Sequence, residues 1–167
     1  TKRRWDLNAS HEWYHETRGP NGFHASVGSD RMADSYVVNV DAAVYRLRDG
    51  DPEYLLIERG AEEDHAAGTV GLPGGTMETG PDDRTERGAI ETTLRRELRE
   101  EVAVEVGEVG VVTSGVFALD TGEPCLNVVC LAEHEAGDPY PAAPDEVATV
   151  DWYTLDRVAG DDVPEFT

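Results

Sequence analysis

The sequence is poor in positive charge, and in lysine above all. Lys2 is its only lysine, and 14 basic residues stand against 35 acidic ones, a net charge of -21. No basic stripe is present to displace counterions from a phosphate backbone, which argues against nucleic acid as a partner. No run approaches the roughly 20 apolar residues that span a bilayer, so a membrane partner is not expected either. Thr1-Lys2-Arg3-Arg4-Trp5-Asp6 is basic but has no apolar stretch behind it, so it does not read as a secretory signal, and a cytoplasmic location is the expectation. Cysteine is scarce as well. Cys125 and Cys130 lie five apart in an apolar run. On a strand that odd spacing points them to opposite faces, and two reduced thiols are expected rather than a disulfide. P-loop and dinucleotide fingerprints are absent.

What the chain does contain is enough apolar material for one core. With 167 residues, 39% hydrophobic and 29% charged, it reads as a single folded domain. Its acidic surface repels itself in dilute buffer and is relieved when salt screens the repulsion. In composition it resembles halophilic proteins, which implies a fold that needs high salt.

Residues 1–35 are polar and irregular, with a turn signal at Gly19-Pro20-Asn21-Gly22. They read as an N-terminal extension packing on a domain of residues 36–167 through Trp5, Trp13 and Tyr14. From Tyr36 the pattern is strand-like. Tyr36–Arg46 and Tyr54–Glu58 are separated by a turn around Asp49-Gly50-Asp51-Pro52, and later runs span Gly110–Ala118, Cys125–Glu133 and Val147–Tyr153. Thr154 is placed to cap a short closing helix. Between the early and late strands the period changes: Ile90, Leu94, Leu98 and Val102 recur every four residues, one apolar stripe on a helix. Strands on both sides of an amphipathic helix predict an α/β (α+β) domain with a mixed sheet.

That helix carries the chemistry. At 100° per residue, Glu101 lies about 40° to one side of Glu97 and Glu100 about 60° to the other, so three carboxylates share a face. Clustered carboxylates destabilise a helix unless a cation sits among them, and hard oxygen ligands suit Mg²⁺ or Mn²⁺. Arg96 is placed to pair with Glu100 at i,i+4. In a chain this acidic, a solvated face is the competing explanation for the helix taken alone. The preceding Leu72-Pro73-Gly74-Gly75 adds a loop whose backbone can approach a ligand closely.

Together, loop and helix resemble the signature of the Nudix hydrolases, Gly-x5-Glu-x7-Arg-Glu-U-x-Glu-Glu-x-Gly-U, where U is aliphatic. Gly75 matches the first glycine, and Arg96-Glu97-Leu98-Arg99-Glu100-Glu101-Val102-Ala103-Val104 matches the second half at every defined position but one. The resemblance covers about residues 36–160 and implies a Nudix fold, a mixed sheet between helices. Two departures stand out. Gly75 to Arg96 spans 21 positions instead of the signature's 14, so the loop is seven residues longer. The glutamate expected between them is consequently missing, with Pro81 and Gly88 in its two alternative slots and Glu78, Glu86 and Glu91 as candidate replacements. Ala103 also stands where the last glycine is expected, which implies a changed turn after the helix.

By resemblance, Glu97 and Glu101 would be direct Mg²⁺ ligands, with Glu100 as a further ligand or water-holder. The Gly74–Gly75 backbone would offer a carbonyl, and Arg96 would orient the carboxylates. A base outside the motif is implied, for which Glu133, Glu135 and Glu146 are the candidates; Glu146 is preferred, with a solvated loop charge as its plain alternative. The implied activity is Mg²⁺-dependent hydrolysis of a diphosphate linkage in a nucleotide-type small molecule such as ADP-ribose, a nucleotide sugar or a nucleoside triphosphate. A Nudix-fold nucleotide sensor without hydrolysis is the alternative, and the resemblance leaves room for a homodimer. His11-Glu12-Trp13-Tyr14-His15 matches a zinc-peptidase pattern, but Gly19-Pro20 ends any helix soon after, so chance explains it better.

The charge balance has a measurable consequence. The melting temperature is expected to rise between low and molar KCl; an unchanged or falling value would contradict a salt-requiring fold.

Overall fold

The structure is a computed structural model, and it describes residues 35–61, 67–78 and 88–159. The expected N-terminal extension, with its His-Glu-x-x-His segment, lies outside the described residues apart from Ser35. Among the described residues, seven strands form one mixed sheet: β1 (Val37–Arg48), β2 (Asp51–Arg59), β3 (Val70–Gly71), β4 (Gly74–Thr76), β5 (Glu105–Ala118), β6 (Pro124–Ala136) and β7 (Val147–Thr154). The order is β3-β2-β1-β6-β5, with β4 pairing β1 and β7 pairing β2. β1 and β6 run parallel, and every other pair is antiparallel. Helix α1 spans Ala89–Glu101, and α2 is a single turn, Leu155–Val158. The expected α+β architecture is therefore present.

The β1–β2 turn is tighter than expected. Asp49 and Gly50 both have positive φ, 56° and 96°. Such a pair suits a two-residue hairpin turn, whose twist matches that of the strands. Asp51 and Pro52 already pair with Arg48 and Leu47. Thr154 does sit at the start of α2, but its side chain makes no capping bond.

On β1 the alternation is clean: Val40, Ala42 and Val44 are fully buried, and residues 39, 41 and 43 face the other way. Leu94, Leu98 and Val102 of the apolar stripe pack on Val40, Ala42, Val44, Val128, Cys130 and Ala132. Each fully buried aliphatic side chain contributes about 1.5–3 kcal/mol relative to exposure, so this contact fixes α1 on the sheet. Arg95 fastens the helix to β5, donating to the carbonyls of Val106 and Gly107. Both cysteines are free and buried, Cys130 in the main core and Cys125 outside that cluster.

The end of α1 departs from expectation. Ala103 adopts φ 58°, the left-handed conformation that glycine favours, so the turn after the helix is kept despite the missing glycine. The amides of Val102 and Val104 both donate to the Leu98 carbonyl, at 3.3 and 3.2 Å, and hold alanine in that conformation. An L-residue there costs about 1–2 kcal/mol, part of which glycine returns as backbone entropy. Ala103→Gly is accordingly expected to raise stability by about 0.5–1 kcal/mol in reversible urea unfolding. A loss of stability would show that Ala103 is not strained.

Candidate active site

The carboxylate face of α1 lies against the Gly74–Gly75 backbone: bare Gly75 leaves room for the Glu97 carboxylate, and bare Gly74 lets β4 close on β1. A Cβ on Gly75 would fall 2.5 Å from the Glu97 carboxyl carbon. On Gly74, whose φ is 154°, a Cβ would collide with the Val40 carbonyl and come within 2.7 Å of the Asp41 Cα. The Gly74 amide donates to Glu101 Oε2 at 2.9 Å. Adjacent glycines thus answer to two packing demands: Gly75 makes room for Glu97, and Gly74 sits tightly on β1 with its amide turned to Glu101.

The result is a cleft of about 530 Å³. Gly74, Gly75, Arg96, Glu97, Glu100, Glu101 and Glu146 all line it. Glu97 and Glu101 are almost wholly buried, at 8% and 4% exposure, whereas the Glu100 side chain is largely exposed. The Arg96 guanidinium bridges Glu97 Oε1 at 2.6 Å and Glu100 Oε2 at 3.1 Å, and it also donates to the Thr76 carbonyl at 3.3 Å. The expected Arg96–Glu100 pair is therefore formed, with Glu97 included.

Burial governs the electrostatics. Desolvation pushes Glu101 up to about 8; the Gly74 amide and Arg59 oppose it, while Glu97 and Glu146 add repulsion. Glu97 is raised as well, first by desolvation, with Arg96 opposing and Glu100, Glu146 and Glu78 adding to it. Two buried, mutually repelling carboxylates with hard oxygen donors are chemically suited to a divalent cation such as Mg²⁺ or Mn²⁺. Among the described residues no three histidine, cysteine or acidic side chains are already gathered at ligand spacing. Arg96 occupies the space between Glu97 and Glu100, so a cation held by both would displace its guanidinium.

Of the three base candidates, only Glu146 borders the cleft. Glu133 accepts a bond from the Tyr45 hydroxyl at 3.4 Å, and neither it nor Glu135 lines the cavity. The loop carrying Glu146 is fastened at both ends. The Ala142 amide donates to the Glu101 carbonyl at 2.8 Å, and the Gly60 amide to the Glu146 carbonyl at 2.7 Å. Of the replacements for the missing glutamate, Glu78 borders the cleft, Glu91 pairs instead with Arg95 at 2.8 Å, and Glu86 lies outside the described residues. Asn39, Arg59, Thr76 and Ala143 complete the wall. A polar residue at an alternate position of an apolar strand was a signal for Asn39; nothing in the sequence singled out the other three.

This assembly of loop, helix and sheet has counterparts among known proteins. The family profile described as NUDIX domain matches residues 37–166. The chain belongs to the Nudix family and is a Nudix hydrolase by that membership. Among solved structures, it is similar to the MutT NUDIX hydrolase from Burkholderia pseudomallei, with 28% identity, TM-score 0.63, and 80% of this chain and 93% of that one covered. It shares its fold with the NUDIX domain of Shewanella oneidensis NrtR, solved in complex with ADP ribose, at 23% identity and TM-score 0.60 over 74% and 76% of the two chains. The same holds for an Ap4A hydrolase from C. elegans, at 19% identity and TM-score 0.58 over 78% and 89%. No curated protein sequence matches the chain.

The buried carboxylates make stability depend on pH. Without metal, Glu101 keeps its proton in the folded state up to about 8, against an ordinary value of 4.5. Between those values the folded state binds more protons than the unfolded one, so stability falls as pH rises through this window. In EDTA the melting temperature is expected to drop from pH 5 to pH 8, and Glu101→Gln is expected to flatten the slope. Equal slopes in both proteins would contradict this assignment.

Proposed function

We propose that the chain hydrolyses a diphosphate linkage in a nucleoside diphosphate derivative, with Mg²⁺ or Mn²⁺ held by Glu97, Glu100 and Glu101. The observation that carries this reading is the burial of Glu97 and Glu101 side by side against a glycine backbone. When bound, the metal would neutralise diphosphate oxygens and acidify a water at the carboxylates.

The chain's own groups would supply the rest. Arg96 would hold the carboxylates and, once displaced from them, face the anionic substrate in a cleft otherwise rich in negative charge. Arg59, on the cleft wall, would add a second positive charge. Glu146 would take the proton of the attacking water, since it borders the cleft on a loop anchored to both α1 and β2. The Gly75 carbonyl is the proposed backbone contribution to the metal. ADP-ribose, a nucleotide sugar and a nucleoside triphosphate are the proposed substrates. The ADP ribose in the Shewanella structure supports the first by analogy of fold. A salt-rich cytoplasm is the proposed setting, on composition alone.

The second reading is a nucleotide sensor that does not hydrolyse. The Arg96 bridge favours it, because that internal cation already satisfies Glu97 and Glu100. A panel of nucleoside diphosphate derivatives assayed with Mg²⁺ in molar KCl separates the two. The hydrolase reading expects turnover of at least one compound. Glu97→Gln and Glu101→Gln should each cut it by orders of magnitude, and Glu146→Gln should lower kcat about a hundredfold or more. Full activity in the first two variants would remove the metal assignment, and binding without turnover across the panel would favour the sensor.

A further inference from the structure

The sheet face turned away from α1 carries a polar row that the hydrolytic chemistry leaves unused. The parallel register of β1 and β6 sets Asn39 beside Asn127, flanked by the pairs Val37–Cys125 and Asp41–Val129. β5 extends these three rows with Gly115, Phe117 and Thr113 respectively. Residues paired across strands share a face, and Val40, Ala42, Val128 and Cys130 face α1, so the amide row lies on the opposite side. Asn39 also borders the carboxylate cleft. The row therefore starts at the cleft and runs across β6 toward β5.

Hydrogen bonding fixes which atoms this row presents. A carboxylate only accepts, so both amides must turn their N–H groups toward Asp41. Asn39 Nδ2 donates to Asp41 Oδ1 at 2.7 Å, and Asn127 Nδ2 to Asp41 Oδ2 at 2.7 Å. The second proton of Asn39 Nδ2 goes to Asn127 Oδ1 at 3.2 Å. Asn39 has then used both protons. Among the described residues no bond to Asn39 Oδ1 is formed, and Asn39 lines the cleft. Beyond Asn127 the row stays low, because a Cβ on Gly115 would meet nothing within 4 Å. Phe117, one row away, is 40% exposed.

We infer that Asn39 and Asn127, oriented by Asp41, form a specificity site that reads a hydrogen-bond donor on the non-phosphate part of the substrate. The inference rests on the reading of the adjoining cleft as a diphosphate site. Asn39 Oδ1 is the accepting atom, and Asp41 is a positioning residue that holds both amide groups in this orientation. A site of this kind rejects an analogue lacking the donor, because its own acceptor is then left without a partner. The donor is an N–H of the base or an O–H of the ribose, and the two sources are separable.

The test is calorimetric titration of the full chain in molar KCl, with Ca²⁺ in place of Mg²⁺ to suppress turnover. The probes are ADP-ribose, its inosine analogue, which lacks the base amino group, and its 2′-deoxyadenosine analogue, which lacks one ribose hydroxyl. Wild type is expected to bind one analogue at least about tenfold more weakly, which names the donor. Asn39→Ala is expected to lose that discrimination, as is Asp41→Asn, in which the amide can turn over. Asn39→Ser gives the same readout should Asn39→Ala fail to fold. In Mg²⁺ the discrimination should appear as a ratio of KM values, not of kcat values. Equal binding of all three probes by wild type, no binding of any, or discrimination retained in Asn39→Ala would overturn the inference. Discrimination without hydrolysis in Mg²⁺ would support it while removing the hydrolase reading.

Discussion

The hydrogen bond from the Gly74 amide to Glu101 joins the two halves of the site, and it forms only because a helix face can lie directly on bare backbone. Any side chain at Gly75 would occupy the space of the Glu97 carboxylate, and any at Gly74 would strike β1. The apolar stripe of α1 fixes the helix at that distance through Leu94, Leu98 and Val102. Core packing thus holds two carboxylates in a place that electrostatics alone would reject. Once they are there, desolvation and mutual repulsion make a bound cation the natural partner.

The cleft wall has a second layer of control. The 137–146 loop is tied to the carbonyl end of α1 and to Gly60 at the end of β2, so Glu146 is carried by the same two elements that carry the carboxylates and Arg59. Gly60 allows this contact because a Cβ there would collide with the Asp145 carbonyl. On the far side of β1, the Asn39–Asp41–Asn127 network begins where the cleft ends. One strand therefore presents apolar residues to the helix on one face and an ordered polar row on the other.

Much of this was legible in the sequence, for identifiable reasons. The four-residue recurrence of Ile90, Leu94, Leu98 and Val102 marks a helix whose face is forced by the core, and the register of Arg96 against Glu97, Glu100 and Glu101 follows from helix geometry. The strands were legible from β-branched runs, although the hairpin at Asp49-Gly50 is shorter than its turn residues suggest. Ala103 misled because its turn is imposed by the Leu98 carbonyl bonds, which override local preference. Arg59 was not foreseeable: its place in the cleft depends on how β2 pairs, and pairing is non-local. For the same reason the sequence favoured Glu146 only slightly over Glu133 and Glu135 as the base, and the three separate clearly only in space.

The central claim is that Glu97 and Glu101 are buried in order to hold a divalent cation, and Mn²⁺ binding followed by electron paramagnetic resonance tests it most directly. Titrations in molar KCl suppress diffuse attraction to the acidic surface and leave the specific site. The account expects saturable Mn²⁺ binding that tightens as pH rises toward 8, as Glu101 loses its proton, and that Glu101→Gln weakens strongly. Binding of equal strength and equal pH dependence in wild type and Glu101→Gln would contradict it.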